Sequence, residues 1–164
     1  MHSHILPGID DGSPDIETSL QLVKGLMGLG LKKSIATPHV ISDLYRNTPE
    51  TIHKALQVLR EALQQQQINY EVNAAAEYFL DEVFLELLAK KELLTLKDNL
   101  ILTEFSFSSM PRQPEELSFK IIMEGYSPIL AHPERYSYYH DQPKMFDRLK
   151  EVGFLLQVNL LSLT

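Results

Sequence analysis

The sequence predicts an α/β protein whose parallel strands are covered by helices and close in the manner of a (β/α) barrel. Three observations predict it. Short apolar runs alternate with helical patterns from Lys33 to Asn159. Those runs are continuously apolar, as in strands buried on both faces, rather than alternating. His39, Glu77, Glu104 and His132 each fall at the C-terminal end of a different predicted strand. Alternation by itself suits a doubly wound sheet equally well, but there the four would be strung along an edge, and only those near a switch point could meet. In a barrel the strand ends converge on one face, where the chemistry sits.

The chain opens on His2-Ser3-His4 and an irregular loop in which Pro7-Gly8 and Asp11-Gly12 are turn dipeptides. Ser13 is expected as an N-cap, Pro14 as the first helical residue and Asp15 as a first-turn acid. Ile16, Leu20, Val23 and Met27 then recur at helical spacing, and Gly30 ends the helix. Lys33 to Thr37 reads as a buried strand running into Pro38-His39. Thr48 caps a second helix, Pro49 opens it, and Ile52, Ala55, Leu56, Leu59, Ala62 and Leu63 form its stripe. His53, beside that stripe, reads as a surface residue. Tyr70 to Ala75 is a strand running into Glu77, and Asp81 caps a helix containing Val83, Phe84, Leu87 and Leu88. Leu100 to Thr103 is a strand ending at Glu104. Pro114 to Gly125 is helical, with Leu117, Ile121 and Ile122 facing inward. Ile129 to Ala131 is a strand ending at His132. Pro143 opens a last helix with Met145, Phe146 and Leu149 inside and Gly153 as its stop, and Phe154 to Asn159 is the final strand. No linker or internal repeat interrupts the series, so 1–164 reads as one domain.

At 164 residues, 44% apolar and 23% charged, the composition is that of a globular domain. A net charge of −7 without a basic stripe argues against nucleic acid as a general partner. No apolar run approaches a membrane span and no leader opens the chain, so the cytoplasm is the expected location. The absence of cysteine excludes disulfides, thiolate metal sites and thiolate nucleophiles. A metal would have to be held by His, Asp and Glu.

In extended backbone His2 and His4 point the same way and can grip one ion, and neutral imidazoles suit zinc, manganese, iron or nickel better than calcium or magnesium. Each candidate has a plainer reading taken singly: an expression-tag scar for His2 and His4, a helix-entry acid for Glu77, a surface acid for Glu104, loop residues beside proline for His39 and His132. The recurrence of metal-type residues at equivalent positions of successive βα units outweighs them. Four imidazoles and two carboxylates suffice for two or three metals, and multinuclear sites clamp attacking and leaving oxygens in phosphoryl transfer. Arg135, three residues past His132, suits bidentate capture of phosphate; the competing reading is a surface salt bridge with Glu134 or a nearby acid. Arg46 is a second, weaker candidate. Tyr136, Tyr138 and Tyr139 either flank an aromatic substrate or pack.

Together, the residues from His2 to Gly12, Ala36-Thr37-Pro38-His39, Ala76-Glu77-Tyr78, Glu104-Phe105 and His132-Pro133-Glu134-Arg135-Tyr136 resemble one family. It is that of the manganese-dependent bacterial protein-tyrosine phosphatases of the polymerase-and-histidinol-phosphatase (PHP) superfamily, encoded with capsular and exopolysaccharide genes. The resemblance implies a distorted seven-stranded (β/α) barrel, a trinuclear metal centre, hydrolysis of phosphotyrosine and a tyrosine autokinase as partner. It implies metal positions at His2, His4, His39, Glu77, Glu104 and His132 and a phosphate-binding position at Arg135. Manganese is the implied ion, with iron, zinc or magnesium as alternatives. The family's first strand before His2, its closing Asp-x-His motif and a further arginine have no counterpart in the 164 residues, so the barrel is expected to be incomplete in this chain. Two other readings stand beside it: a PHP phosphoesterase acting on histidinol phosphate or nucleic acid, and a non-catalytic remnant that binds metal or a partner. On the phosphatase reading the six ligands surround one cavity with Arg135 on its rim, and His53 and His140 lie outside.

Overall fold

A computed structural model describes residues 2–163, the side chains of 161 and 163 excepted. The first helix, α1, is Ile16–Gly28, and its cap is Asp15 rather than Ser13. Asp15 is in extended backbone and its Oδ1 accepts the Thr18 N–H at 2.8 Å, which satisfies one of the orphan donors of the first turn. Ser13 is buried instead, with its hydroxyl bonded to the Asp15 carbonyl and to Ser19 Oγ, each at 2.8 Å. Both residues are competent caps, and the burial of Ser13 leaves the role to Asp15.

The described residues fall into two compact units, Met1–Ala76 and Glu77–Thr164. In the first, strand β1 (Lys33–Ala36) is followed by the short β2 (His39–Val40), helix α2 (Pro49–Gln65) and β3 (Glu71–Ala74). β1 and β3 pair in parallel from Lys33↔Glu71 to Ala36↔Ala74. α2 starts as the sequence predicts: Thr48 and Thr51 form a reciprocal capping box and Pro49 occupies the first turn. Its stripe of Ile52, Ala55, Leu56, Leu59 and Leu63 is buried, as are Leu20 and Val23 of α1, and α2 packs on both α1 and β3. Arg60 anchors the last contact, its Nε donating to the Val72 carbonyl at 2.9 Å and its guanidinium also reaching Asn73 Oδ1 at 2.8 Å.

The second unit runs β4 (Glu77–Phe79), α3 (Glu82–Lys90), β5 (Leu100–Glu104), α4 (Pro114–Met123), β6 (Ser127–Ala131), α5 (Lys144–Glu151) and β7 (Leu155–Gln157). β4, β5, β6 and β7 are successive parallel neighbours. Such an order needs a crossover after every strand, and α3, α4 and α5 supply them. Asp81 caps α3, its carboxylate accepting the Phe84 N–H at 2.9 Å. Phe105, Leu130, Tyr136, Tyr139, Leu149 and Phe154 form the core.

Three details differ from expectation. The Tyr70–Glu77 run is not one strand: β3 ends at Ala74, Ala75 and Ala76 are fully buried, and Glu77 opens β4 instead of closing a strand. His39 likewise opens β2. Ile122, expected inside, is 46% exposed, because Ser118 and Ile121 occupy the inner face of α4. Ile122 instead leans on Gly153, where φ of +105° disfavours any side chain and a β-carbon would push Ile122 Cδ1 aside. Among the described residues no helix is long and apolar enough to cross a membrane.

Candidate metal centre

In the first unit the His-x-His segment is held beside the end of β1. Thr37 N–H donates to the Ser3 carbonyl at 2.8 Å, and Ser3 N–H donates to Thr37 Oγ1 at 3.1 Å. Alternation then gives His2 and His4 a common side, with their Nε2 atoms 2.9 Å apart. The His39 ring centroid lies 4.6 Å from that of His4. The loop folds back onto this pair through Gly8 N–H to the Ser13 carbonyl at 2.8 Å and Ser13 N–H to the His4 carbonyl at 3.0 Å. Gly12 is required here, because a β-carbon would overlap the His4 carbonyl and Cβ.

The fold-back delivers two acids. The Asp10 side chain is fully buried; its Oδ2 is 2.7 Å from His4 Nδ1 and accepts the His39 N–H at 3.2 Å, while Oδ1 accepts the Gly12 N–H at 3.0 Å. Burial by itself would raise the Asp10 carboxyl. The His4 hydrogen bond and charge, with the Gly12 and His39 amides, outweigh that and hold it below the usual carboxylate range. A carboxylate can only accept, so His4 turns a proton on Nδ1 towards Asp10, and in the neutral imidazole Nε2 is then the lone pair that a metal can take. Asp11 Oδ1 lies 3.5 Å from His39 Nε2, and His4, Asp11 and His39 offer ligand atoms within 4.8 Å of one another. Asn47 Nδ2 ties the loop down, donating to the Ile9 and His39 carbonyls at 2.8 Å each.

In the second unit Glu77 is fully buried, and Glu104 and His132 are 2% and 5% exposed. Parallel pairing of β4 with β5 places Phe79 opposite Glu104, and the Glu77 and Glu104 carboxylates come within 4.8 Å of each other. His132 follows β6 at φ +36°, held by its N–H on the Gln157 carbonyl at 2.7 Å. That left-handed geometry costs a non-glycine residue about 1–2 kcal/mol. It aims Nε2 at Glu77 Oε1, 2.9 Å away, with Glu104 Oε2 at 4.0 Å. Two buried carboxylates this close repel, which a cation relieves.

Arg135 is exposed in the turn Pro133–Arg135, and its guanidinium carbon sits 5.8 Å from the Phe107 ring centroid. The Glu134 carboxylate is engaged elsewhere, accepting Asn159 N–H at 3.1 Å and Ser162 Oγ at 3.0 Å. Arg46 is exposed in the first unit, its Nε donating to the Ser42 carbonyl at 2.8 Å. His53 is exposed on α2, and His140 is exposed with Nε2 2.8 Å from the Glu134 carbonyl. Tyr136 and Tyr139 are packing residues: both are fully buried in the core around Phe105. Reading Asp11 only as part of a turn dipeptide, with no role for Asp10, misses both; the available signal is two consecutive carboxylates in the loop directly after His-x-His.

Comparison with known proteins agrees with this chemistry. The family model described as capsular polysaccharide synthesis, CpsB/CapC, matches residues 1–164. Tyrosine-protein phosphatase YwqE of Bacillus subtilis is 34% identical over 164 residues, covering 99% of this chain and 65% of its own length. Tyrosine-protein phosphatase CpsB of Streptococcus pneumoniae is 30% identical over 160 residues, covering 97% of this chain and 66% of its own. A chain from the crystal structures of YwqE and CpsB, described as unique metal-dependent tyrosine phosphatases, superposes with a TM-score of 0.88 at 34% identity, over 96% of this chain and 64% of that one. The chain thus spans about two thirds of the length of the curated relatives it matches. Matched along its whole length, this α/β chain belongs to the CpsB/CapC family of capsular polysaccharide synthesis.

Proposed function

We propose that this chain serves a metal-dependent phosphomonoester hydrolase that removes phosphate from phosphotyrosine in proteins. The observation that carries the reading is the buried Glu77–Glu104–His132 set, two carboxylates and an imidazole gathered where an apolar interior would otherwise exclude charge. Likeness to tyrosine phosphatases at 34% and 30% identity supports the substrate class. The donor chemistry of each unit fits divalent manganese, with iron, zinc or magnesium as alternatives: the imidazoles of His2, His4 and His39 with the Asp11 carboxylate in the first, and the His132 imidazole with the Glu77 and Glu104 carboxylates in the second. When bound, such ions supply Lewis-acid polarisation of phosphoryl oxygens and a water of lowered pKa.

The chain's own residues do the rest. Asp10 holds the His4 ring by Nδ1, so that Nε2 is the nitrogen turned to a metal and the neutral imidazole binds through it. Asn47 and Gly12 hold the loop that carries Asp10 and Asp11. Arg135 takes a pair of phosphoryl oxygens through its planar fork and stabilises the charge that grows on them. Arg46 is a second phosphate-binding residue on the same reading. With no cysteine in the chain, no phosphocysteine forms on it. We take 1–164 as one phosphatase domain, its protein substrate as a tyrosine autokinase of polysaccharide synthesis, and its place of action as the cytoplasm.

The test is hydrolysis by the purified protein loaded with Mn²⁺, with phosphotyrosine peptide, histidinol phosphate and an oligonucleotide compared side by side. Turnover of the peptide above the other two, abolished by chelation and restored by Mn²⁺, is expected. Undiminished turnover after exhaustive chelation overturns the metal mechanism, and preference for histidinol phosphate or the oligonucleotide overturns the substrate.

A further inference from the structure

Phe107 has no role in the chemistry above, yet its setting is unusual. It lies in the β5–α4 loop, 49% exposed, and what sets it apart from other exposed apolar residues is what it touches. One face is occupied: the His132 ring stacks on it at 5.4 Å with 24° between planes, and Tyr136 lies 5.4 Å away at 41°. The Arg135 guanidinium stands 5.8 Å from the same ring. The two residues before it are braced: Phe105 N–H donates to Tyr136 OH at 3.0 Å, and Tyr138 OH donates to the Ser106 carbonyl at 2.8 Å. Tyr136 and Tyr138 themselves stack at 5.6 Å with 10° between planes, so the brace is a layer of aromatic rings.

We propose that Phe107 is the specificity-determining wall for the aryl leaving group, stacking on the phenol ring of phosphotyrosine while Arg135 beside it holds the phosphate. This rests on the phosphotyrosine reading and deepens it. In this aromatic layer Tyr136 and Tyr139 are fully buried and Tyr138 is half-buried with its hydroxyl on the Ser106 carbonyl, whereas Phe107 is exposed and has Arg135 beside it. Phosphate and ring of an aryl phosphate are a few ångströms apart, which matches an arginine and an aromatic plane in mutual contact. A serine or alkyl phosphate presents no ring and gains nothing from the wall. Because His132 and the Tyr136–Tyr138 layer pin Phe107 in place, the stacking surface is formed before substrate arrives.

The test separates a wall from a mere cover over His132. Phe107→Leu keeps an apolar cover and removes the ring; Phe107→Trp keeps a ring. For each, KM and kcat are measured with Mn²⁺ on phenyl phosphate and on ethyl phosphate, and Mn²⁺ content is measured after loading. In Phe107→Leu, KM for phenyl phosphate should rise roughly two- to tenfold, the range of an aromatic pair, with the ethyl phosphate KM and the Mn²⁺ content unchanged. Phe107→Trp should restore the phenyl preference. Equal losses on both esters, or loss of Mn²⁺, would show that Phe107 only supports His132 and would overturn the proposal. Binding of phenylphosphonate against methylphosphonate to the Mn²⁺-loaded protein reads the same discrimination without turnover. If that preference is present and ring-dependent while no hydrolysis occurs, the wall stands and the phosphatase reading fails; if hydrolysis is metal-dependent but the preference ignores Phe107, the reverse holds.

Discussion

Asp10→Asn is the sharpest perturbation of the ligand set, since it preserves shape and changes one oxygen to NH₂. Asp10 accepts from three donors: His4 Nδ1 and the His39 N–H on Oδ2, and the Gly12 N–H on Oδ1. An amide has one accepting oxygen, so whichever way it turns, a donor faces a donor. Kept towards His4 and His39, the oxygen holds both donors as a neutral, weaker acceptor and the NH₂ pushes on the Gly12 N–H; turned towards Gly12, the NH₂ meets the His39 N–H and His4 Nδ1, and His4 shifts its proton to Nε2, the atom that faces His2 Nε2 at 2.9 Å. A ligand nitrogen that must first lose a proton binds more weakly, and loss of such an orienting partner typically lowers metal affinity 10- to 100-fold, about 1.4–2.8 kcal/mol. Calorimetric titration with Mn²⁺ at neutral pH measures it directly, and the Mn²⁺ concentration for half-maximal phenyl phosphate hydrolysis checks it independently. Activity at saturating Mn²⁺ should recover most of the way. An Asn variant that binds Mn²⁺ within twofold of wild type would refute the orienting role of Asp10.

Three further outcomes follow from the geometry. Gly12→Ala forces a methyl against the His4 carbonyl, which cannot yield as a side chain would, so thermal stability should fall by about 1–3 kcal/mol and Mn²⁺ affinity with it; a wild-type melting temperature would show that the loop relaxes freely. Thr48→Ala removes the α2 cap and should cost about 1 kcal/mol in urea unfolding without changing Mn²⁺ binding; an unchanged midpoint contradicts the capping box. Burial pushes the Tyr78 and Tyr139 hydroxyls up to about 12, from an ordinary value near 10. A raised folded-state value means that their contribution is whole below about pH 10 and drains away as pH rises towards 12. Absorbance at 295 nm should therefore show delayed tyrosinate formation that coincides with loss of circular dichroism; complete ionisation in a folded protein by about pH 11 would contradict the burial argument.

Much of the secondary structure was legible because its signals are local. Thr48 with Pro49 and Asp81 announce their helices, since a cap bonds an amide two or three residues away and no distant partner takes part. The apolar stripe of α2 is legible for the same reason: periodicity reports which face is buried without saying against what. The Ser13–Asp15 ambiguity marks the limit of that locality, because two good capping side chains stood two residues apart and burial chose between them. Ile122 marks it again, for a residue at the edge of a stripe is sorted by what packs there, here Ser118 and Gly153.

The sequence by itself determined the α/β class, the order of the helices and of the main strands though not the breaks before His39 and Glu77, the histidine and glutamate ligand candidates and the exclusion of thiol chemistry; each follows from residue type and spacing alone. Tertiary structure decided how those residues are used. Asp10 becomes the buried partner of His4 only because Gly12 lets the loop fold back, a contact that no periodicity encodes. Glu77 and Glu104 come to share His132 only because β4 and β5 pair in the register that sets Phe79 opposite Glu104. Tertiary packing consumed Tyr136 and Tyr139 in the core and left Phe107 half-exposed beside His132 and Arg135. Spacing along a chain bounds which side chains can share a face, but burial and hydrogen bonding are settled by partners distant in sequence.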